Sequence, residues 1–224
     1  MSLLDFEKDG VEIRRALISS DIIELVKADI DLENDKFKKH GVRNLEKRFQ
    51  SISNLAKDET ILSIARNLLN SQVSLVRAIF FDKTPDKNWL VTWHQDKTVT
   101  LNKKIALEGW GPWSIKDDVH HVQPPVSVLN SMVTIRLHID PSDEKNGCLK
   151  VIPGTHNQGI LKQKEIDELV QNASIFPCIV EAADAVIMRP HILHSSSKAD
   201  EPSHRRVVHL EYSSYELPDG ASWA

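Results

Sequence analysis

A histidine and an aspartate stand two residues apart in Thr92-Trp93-His94-Gln95-Asp96-Lys97, directly behind the short apolar run NWLVTW. On a strand, residues i and i+2 point to one face, about 7 Å apart. An imidazole and a carboxylate so placed can reach one ion. A second histidine from another strand would make two His and one carboxylate, a facial set that leaves coordination positions open and suits non-heme Fe(II) oxygen chemistry. A second pair with this spacing, His138/Asp140, reads differently. Asp140 precedes Pro141 and opens the turn cluster DPSDEKNG, where aspartate serves the turn itself. The later segment MRPHILHSSS offers His191 and His194; three apart, they would face opposite sides of one strand. Beyond them HRRVVHLEY carries Arg205 and Arg206. An arginine facing a barrel interior is costly unless it holds an anion, and its planar fork fits a carboxylate. A metal set with a buried arginine suits a keto acid that chelates the metal at one end and is held at the other. Arg205, Val207 and His209 share one face of that strand; Arg206, Val208 and Leu210 share the other.

The elements that must position these residues are short strands. From residue 88, apolar runs (NWLVTWH, PVSVLNSMVTIRLHI, CLKVI, SIFPCIV, DAVIMRP, ILHS, RRVVHLEYS) alternate with PSDEKNG, PGTHNQG and SKADEPSH. That rhythm predicts a sandwich or barrel, with one helix at KQKEIDELVQ. Before it, GVEIRRAL predicts a short strand and SSDIIELVKADIDLEN a helix with an N-cap serine or aspartate. Ile61, Ile64, Ala65, Leu68 and Leu69 fall on one face of a helix, and SQVSLVRAIFF predicts a strand. The expected organisation is a single domain over 1–224: mostly helical support over 1–73, a β core over 74–215, and a lid loop over 100–125. That loop shows no periodicity and holds Trp110, Trp113, His120 and His121; long irregular loops inside compact domains are usually functional.

The chain has 224 residues, 41% hydrophobic and 27% charged, with net charge −4. This is the composition of a soluble globular protein long enough to bury a substantial core. No basic run interleaved with aromatics points to nucleic acid, no apolar stretch to a membrane span, and no leader to export; a cytoplasmic location is expected. Cys148 and Cys178 lack zinc-knuckle spacing and read as small buried apolar residues.

Taken together, WHQD, NGCLKVIPGTH, LHSS and an arginine eleven residues beyond His194 resemble the phytanoyl-CoA dioxygenase family. The resemblance covers about residues 75–215. It implies a double-stranded β-helix, the jelly roll or cupin-like fold, and Fe(II)- and 2-oxoglutarate-dependent oxygenation with O2. It implies His94, Asp96 and His194 as iron ligands and catalytic residues. Arg205 takes the far carboxylate of 2-oxoglutarate by its spacing from His194, in preference to Arg206. Ser196 donates to the same carboxylate, and Arg136 touches the cosubstrate or an anionic substrate. Ser195 stands where the family usually has glycine, and Ala183-Asp184 where it has Gly-Asp. Related halogenases carry a small residue at the carboxylate position, so Asp96 argues for oxygenation, with hydroxylation of a small molecule as the expected reaction. Lys97, Lys103 and Lys104 hint at an anionic substrate. Two other readings stay open: a cupin-like metalloenzyme that does not use 2-oxoglutarate, and a non-catalytic jelly-roll binding module.

Overall fold

The computed structural model describes residues 4–32, 41–218 and 220–224. Helix α1 (Phe6–Asp9) leads into strand β1 (Val11–Arg14), helix α2 (Ser20–Asp31), strand β2 (Gly41–Arg43) and helices α3 (Gln50–Ala56) and α4 (Glu59–Leu69). Strands β3 (Ser74–Lys83), β4 (Val91–His94), β5 (Val99–Leu101), β6 (Trp113–Lys116) and β7 (Val119–Val122) follow. After helix α5 (Val126–Asn130) come β8 (Met132–His138), β9 (Leu149–Ile152), helix α6 (Gln163–Asn172), β10 (Phe176–Pro177), β11 (Ala185–Met188), β12 (Leu193–Ser196) and β13 (Arg205–Ser213). The helices expected at the N-terminus start where their caps allow. Ser19 Oγ accepts from Ile22 N at the head of α2, and Asp58 accepts from Thr60 and Ile61 at the head of α4, satisfying donors that a first turn leaves unpaired. Residues 33 and 34, the end of the predicted first helix, lie outside the described residues.

Two antiparallel sheets make the jelly roll. The larger runs β1-β11-β8-β13-β3-β2, the smaller β10-β9-β12-β4. β1 and β2, from the N-terminal part, are its edge strands. Period-2 alternation divides the large sheet. Ala78, Phe80, Val133, Ile135, Leu137, Val208, Leu210 and Tyr212 pack outward in the core shared with α2, α3 and α4. The alternate set, Arg77, Ile79, Phe81, Arg136, Arg205 and His209, lines an inner cavity with residues of the small sheet. The apolar face of β13 therefore belongs to the helices, and the polar face to the interior. Among the described residues no helix is long and apolar enough to cross a membrane.

Two local expectations need correction. PVSVLN is a short helix, α5, and the strand begins only at Met132; a β-branched run of this length does not distinguish the two. The 100–125 segment is partly ordered into a third sheet, β5-β7-β6. Trp110 and Trp113 belong to the apolar cluster beneath it, with Val99, Leu101 and Val122.

Candidate metal centre

Strands β4 and β12 pair antiparallel, with His94 and His194 as direct partners. Cross-strand partners sit about 5 Å apart, and the two rings lie 4.3 Å centroid to centroid. Each ring is fixed by its own strand: His94 Nδ1 donates to the Thr92 carbonyl and His194 Nδ1 to the Ile192 carbonyl, both at 2.8 Å. A carbonyl only accepts, so Nδ1 carries the proton in both and each Nε2 presents a lone pair. Asp96 is not on the strand, because β4 ends at His94. Gln95 folds the chain over. Its amide donates to the Gly159 and His191 carbonyls and accepts from Leu161 N, all at 2.8 Å, while Asp96 N donates to Pro190 O at 3.0 Å. This aims the carboxylate between the histidines, 3.6 Å from His94 Nε2 and 3.5 Å from His194 Nε2. The three ligand atoms lie within 4.8 Å of one another. Burial would raise the pKa of Asp96; the neighbouring imidazoles, His194 and then His94, outweigh it and hold the carboxyl well below its ordinary range. Burial would lower His94, and the neighbouring carboxylate raises it instead. Two neutral Nε2 donors and an ionised carboxylate on one side of an open cavity fit a divalent iron.

The cavity holds about 460 Å³ and is lined by both sheets and by the β6–β7 hairpin. At one end sits Arg205, 3% exposed. Its Nη1 donates to the Gly147 carbonyl and more weakly to Ser196 Oγ at 3.4 Å. Its Nε has no acceptor. Ser196 Oγ donates to Gly147 O at 2.8 Å. Lys83, the cross-strand partner of Arg205, donates to Ser196 Oγ at 2.8 Å and to Ser197 O. Burial, and then Arg205, push the Lys83 ammonium down to about 7; burial, and then Arg136, push Arg205 down to about 10. Among the described residues no carboxylate pairs directly with either of these two buried cations, whose acceptors are a hydroxyl and two carbonyls. Gly147 makes the arrangement possible: its φ is +76°, and a Cβ would lie 2.4 Å from Ser197 O.

Arg206 points the other way. Its Nε and Nη2 grip Asp140 at 2.8 and 2.9 Å, and its backbone N–H donates to the same carboxylate at 2.9 Å. Asp140 is thus the anchor of an outward arginine, and His138, buried on the inner face of β8, makes no hydrogen bond through either ring nitrogen. His191 is buried in the turn before β12, its ring 6.3 Å from His156, and it belongs neither to the candidate ligand group nor to the cavity lining. Both cysteines are buried, and burial pushes their thiols up to about 11 and about 12, so neither is a ready thiolate.

Beyond these three candidate ligands a polar chain crosses the large sheet. Arg77 Nη2 donates to Glu211 Oε1 at 2.8 Å, His209 Nε2 donates to the same oxygen at 3.0 Å, and Arg136 Nη1 donates to His209 Nδ1 at 2.8 Å. A guanidinium only donates, which fixes His209 as the Nε2–H tautomer. At the mouth, Arg43 pairs with Asp117 at 3.3 Å. His121, from β7, is pushed down to about 4 by burial and then by Arg77, Arg43 and Lys116. Trp89 also lines the cavity. Arg77, Lys83, Trp89, Gln95 and Glu211 were not singled out by sequence reasoning. The signal for Arg77 and Lys83 was present: they fall on the alternate parity of the apolar run SLVRAIFFDK, as buried charges opposite β13.

A jelly roll with two histidines and a carboxylate at one end of a basic cavity defines a class: mononuclear non-heme iron proteins. The phytanoyl-CoA dioxygenase (PhyH) family model matches residues 7–207, and the chain belongs to that family, whose members use Fe(II), 2-oxoglutarate and O2. Solved structures share the fold. AviO1 from Streptomyces viridochromogenes Tue57 is 19% identical with a TM-score of 0.71, over 95% of this chain and 93% of that one. HygX from Streptomyces hygroscopicus, solved with nickel and 2-oxoglutarate, is 13% identical with a TM-score of 0.70, over 96% and 86%. SnoK, an α-ketoglutarate-dependent carbocyclase from nogalamycin biosynthesis, is 13% identical with a TM-score of 0.74, over 97% and 83%. No curated protein sequence matches the chain.

Proposed function

We propose that this chain is an Fe(II)- and 2-oxoglutarate-dependent dioxygenase that hydroxylates a small molecule. One observation carries the reading: three ligand atoms within 4.8 Å of one another share a cavity with a buried, carboxylate-free Arg205. His94, Asp96 and His194 hold the iron. Arg205 takes the far carboxylate of 2-oxoglutarate, and Ser196, whose one hydroxyl proton goes to Gly147 O, positions Arg205 with Lys83 behind. When bound, iron and 2-oxoglutarate supply O2 activation coupled to release of succinate and CO2. The chain's own part is positional. The Thr92 and Ile192 carbonyls keep both imidazoles in the ligating tautomer. Gln95 holds the turn that delivers Asp96. The Gly147 carbonyl orients Arg205 and Ser196. Asp96 keeps a carboxylate at the position a halide would need, which favours oxygenation over halogenation.

The test is an anaerobic titration of metal-free protein with Fe(II), then 2-oxoglutarate, following the visible metal-to-keto-acid charge-transfer band, with succinate formation measured once a substrate is found. A band supports the reading. Bound iron without a band points to a metalloenzyme that does not use 2-oxoglutarate. No bound iron points to a binding module.

A further inference from the structure

Charge is unevenly distributed over the cavity. Arg43, Arg77, Lys116, Arg136 and Arg205 line it, against Asp96. Loading the site does not correct this, since a divalent cation and a dicarboxylate bring opposite and equal charge. Most of the cations nevertheless have an answer. Arg77 has Glu211, Arg43 has Asp117, Lys116 is exposed to solvent, and Arg205 has the cosubstrate in the function proposed above. Arg136 has none. It is 7% exposed, its Nη1 meets a neutral nitrogen of His209, its guanidinium lies 5.5 Å over the Phe81 ring, and its buried Nε has no acceptor. A buried guanidinium without an ion pair of its own is unfavourable unless a ligand supplies one. Its place is also distinct. Arg136 is the cross-strand partner of His209, four residues along β13 from Arg205, about 13 Å at strand rise. A ring nitrogen of His209 lies within 4.8 Å of an Asp96 carboxylate oxygen, so Arg136 stands beside the candidate metal ligands, while its charge still reaches Arg205. Apolar walls stand nearby in Ile79, Phe81 and Trp89.

We infer that the primary substrate is an oxyanion, a carboxylate or phosphate carried on an apolar body, and that Arg136 is the specificity-determining residue that receives it. This rests on the proposed function, because Arg205 must be occupied by 2-oxoglutarate for Arg136 to be the remaining site.

The test uses the full chain, anaerobic and loaded with Fe(II) and saturating 2-oxoglutarate, titrated by calorimetry with benzoate, phenyl phosphate and the neutral isostere benzamide. The wild type is expected to bind benzoate or phenyl phosphate at least about 10-fold more tightly than benzamide, a modest return for one charge-assisted pair. Whichever anion binds more tightly identifies the class. In Arg136→Gln the preference is expected to fall to within about 2-fold, and in Arg136→Lys to survive in part, while the Kd for 2-oxoglutarate stays within about 3-fold. Equal binding of benzoate, phenyl phosphate and benzamide by the wild type overturns the inference without any variant. So does a preference that persists in Arg136→Gln, or anions that merely displace 2-oxoglutarate. A large rise in the 2-oxoglutarate Kd of Arg136→Gln assigns Arg136 to the cosubstrate, which overturns this inference and leaves the oxygenase reading intact. Failure of 2-oxoglutarate to bind the wild type sinks that reading and, with it, the assignment of Arg136.

Discussion

Replacing Arg205 by alanine tests the cosubstrate end of the site most directly. Its Nη1 is committed to the Gly147 carbonyl and Ser196, and its Nε waits for an acceptor. Charge-assisted hydrogen bonds contribute about 1.5–3 kcal/mol each, so losing a two-bond grip on a carboxylate predicts about 4 kcal/mol, a Kd rise on the order of 1,000-fold. Lys83 Nζ remains behind Ser196 and offsets part of the loss, which sets a lower bound of roughly 30-fold. Arg205→Lys keeps the charge but not the fork and should fall between wild type and alanine. The matched control is Arg206→Ala. Its guanidinium is held by Asp140 on the outer side, so 2-oxoglutarate affinity should hold within about 3-fold while stability drops by about 1–3 kcal/mol. The assay is the anaerobic charge-transfer titration, with a urea melt on each variant. A shift below 3-fold in Arg205→Ala, or equal shifts in Arg205→Ala and Arg206→Ala, refutes the assignment of Arg205 to the cosubstrate.

Further outcomes are expected. His94→Ala or Asp96→Ala should weaken Fe(II) binding by at least about 100-fold with an unchanged circular dichroism spectrum; iron retained in either, by metal analysis, counts against the ligand set. Tyr212→Phe removes the buried hydrogen bond to the Ala56 carbonyl and should cost about 1–2 kcal/mol in urea denaturation, with iron binding untouched. Lys83, pushed down to about 7 by burial and Arg205, titrates below its unfolded value. Between pH 7 and 8.5 the unfolded chain therefore binds the extra proton, and its contribution to stability is lost as pH falls through about 7. The stability of the wild type relative to Lys83→Met should accordingly rise with pH across that window. Gly147→Ala, forced against Ser197 O at positive φ, should lower both stability and 2-oxoglutarate affinity, whereas Gly154→Ala, whose Cβ meets nothing within 4 Å, should spare the affinity.

The fold was legible where one periodicity dominates. Ile61 and Ala65 mark a buried helix face, and the apolar runs from residue 132 onward match β8, β9, β11, β12 and β13 with little displacement. Spacing from His194 favours Arg205 over Arg206; apolarity alone would turn Val208 and Leu210 inward, and they pack on the helices instead. The turn that carries Asp96 was not readable as such. A glutamine between two ligands carries no local signal, and its three hydrogen bonds all reach residues more than sixty positions away. The hairpin of β6 and β7 was hidden for another reason: its strands are four residues long and leave Ile115 exposed, so alternation had nothing to alternate against. Arg77 and Lys83 share the parity of Ile79 and Phe81 along β3, a signal that was present but passed over because Arg77 is a single charge in an apolar run and Lys83 follows the end of that run.

The pairing of His94 with His194 has a consequence for how this protein tolerates change. Because the partners face each other across β4 and β12, a slip of one residue between these strands would turn one imidazole to the opposite face. The centre thus reports alignment as well as composition. Deleting a single residue from Val91–Trp93 should eliminate iron binding as completely as removing a ligand, whereas most side-chain replacements on the outward face of those strands should leave it intact. In a library of random variants, loss of iron would mark insertions and deletions in this pair of strands far more often than substitutions around it.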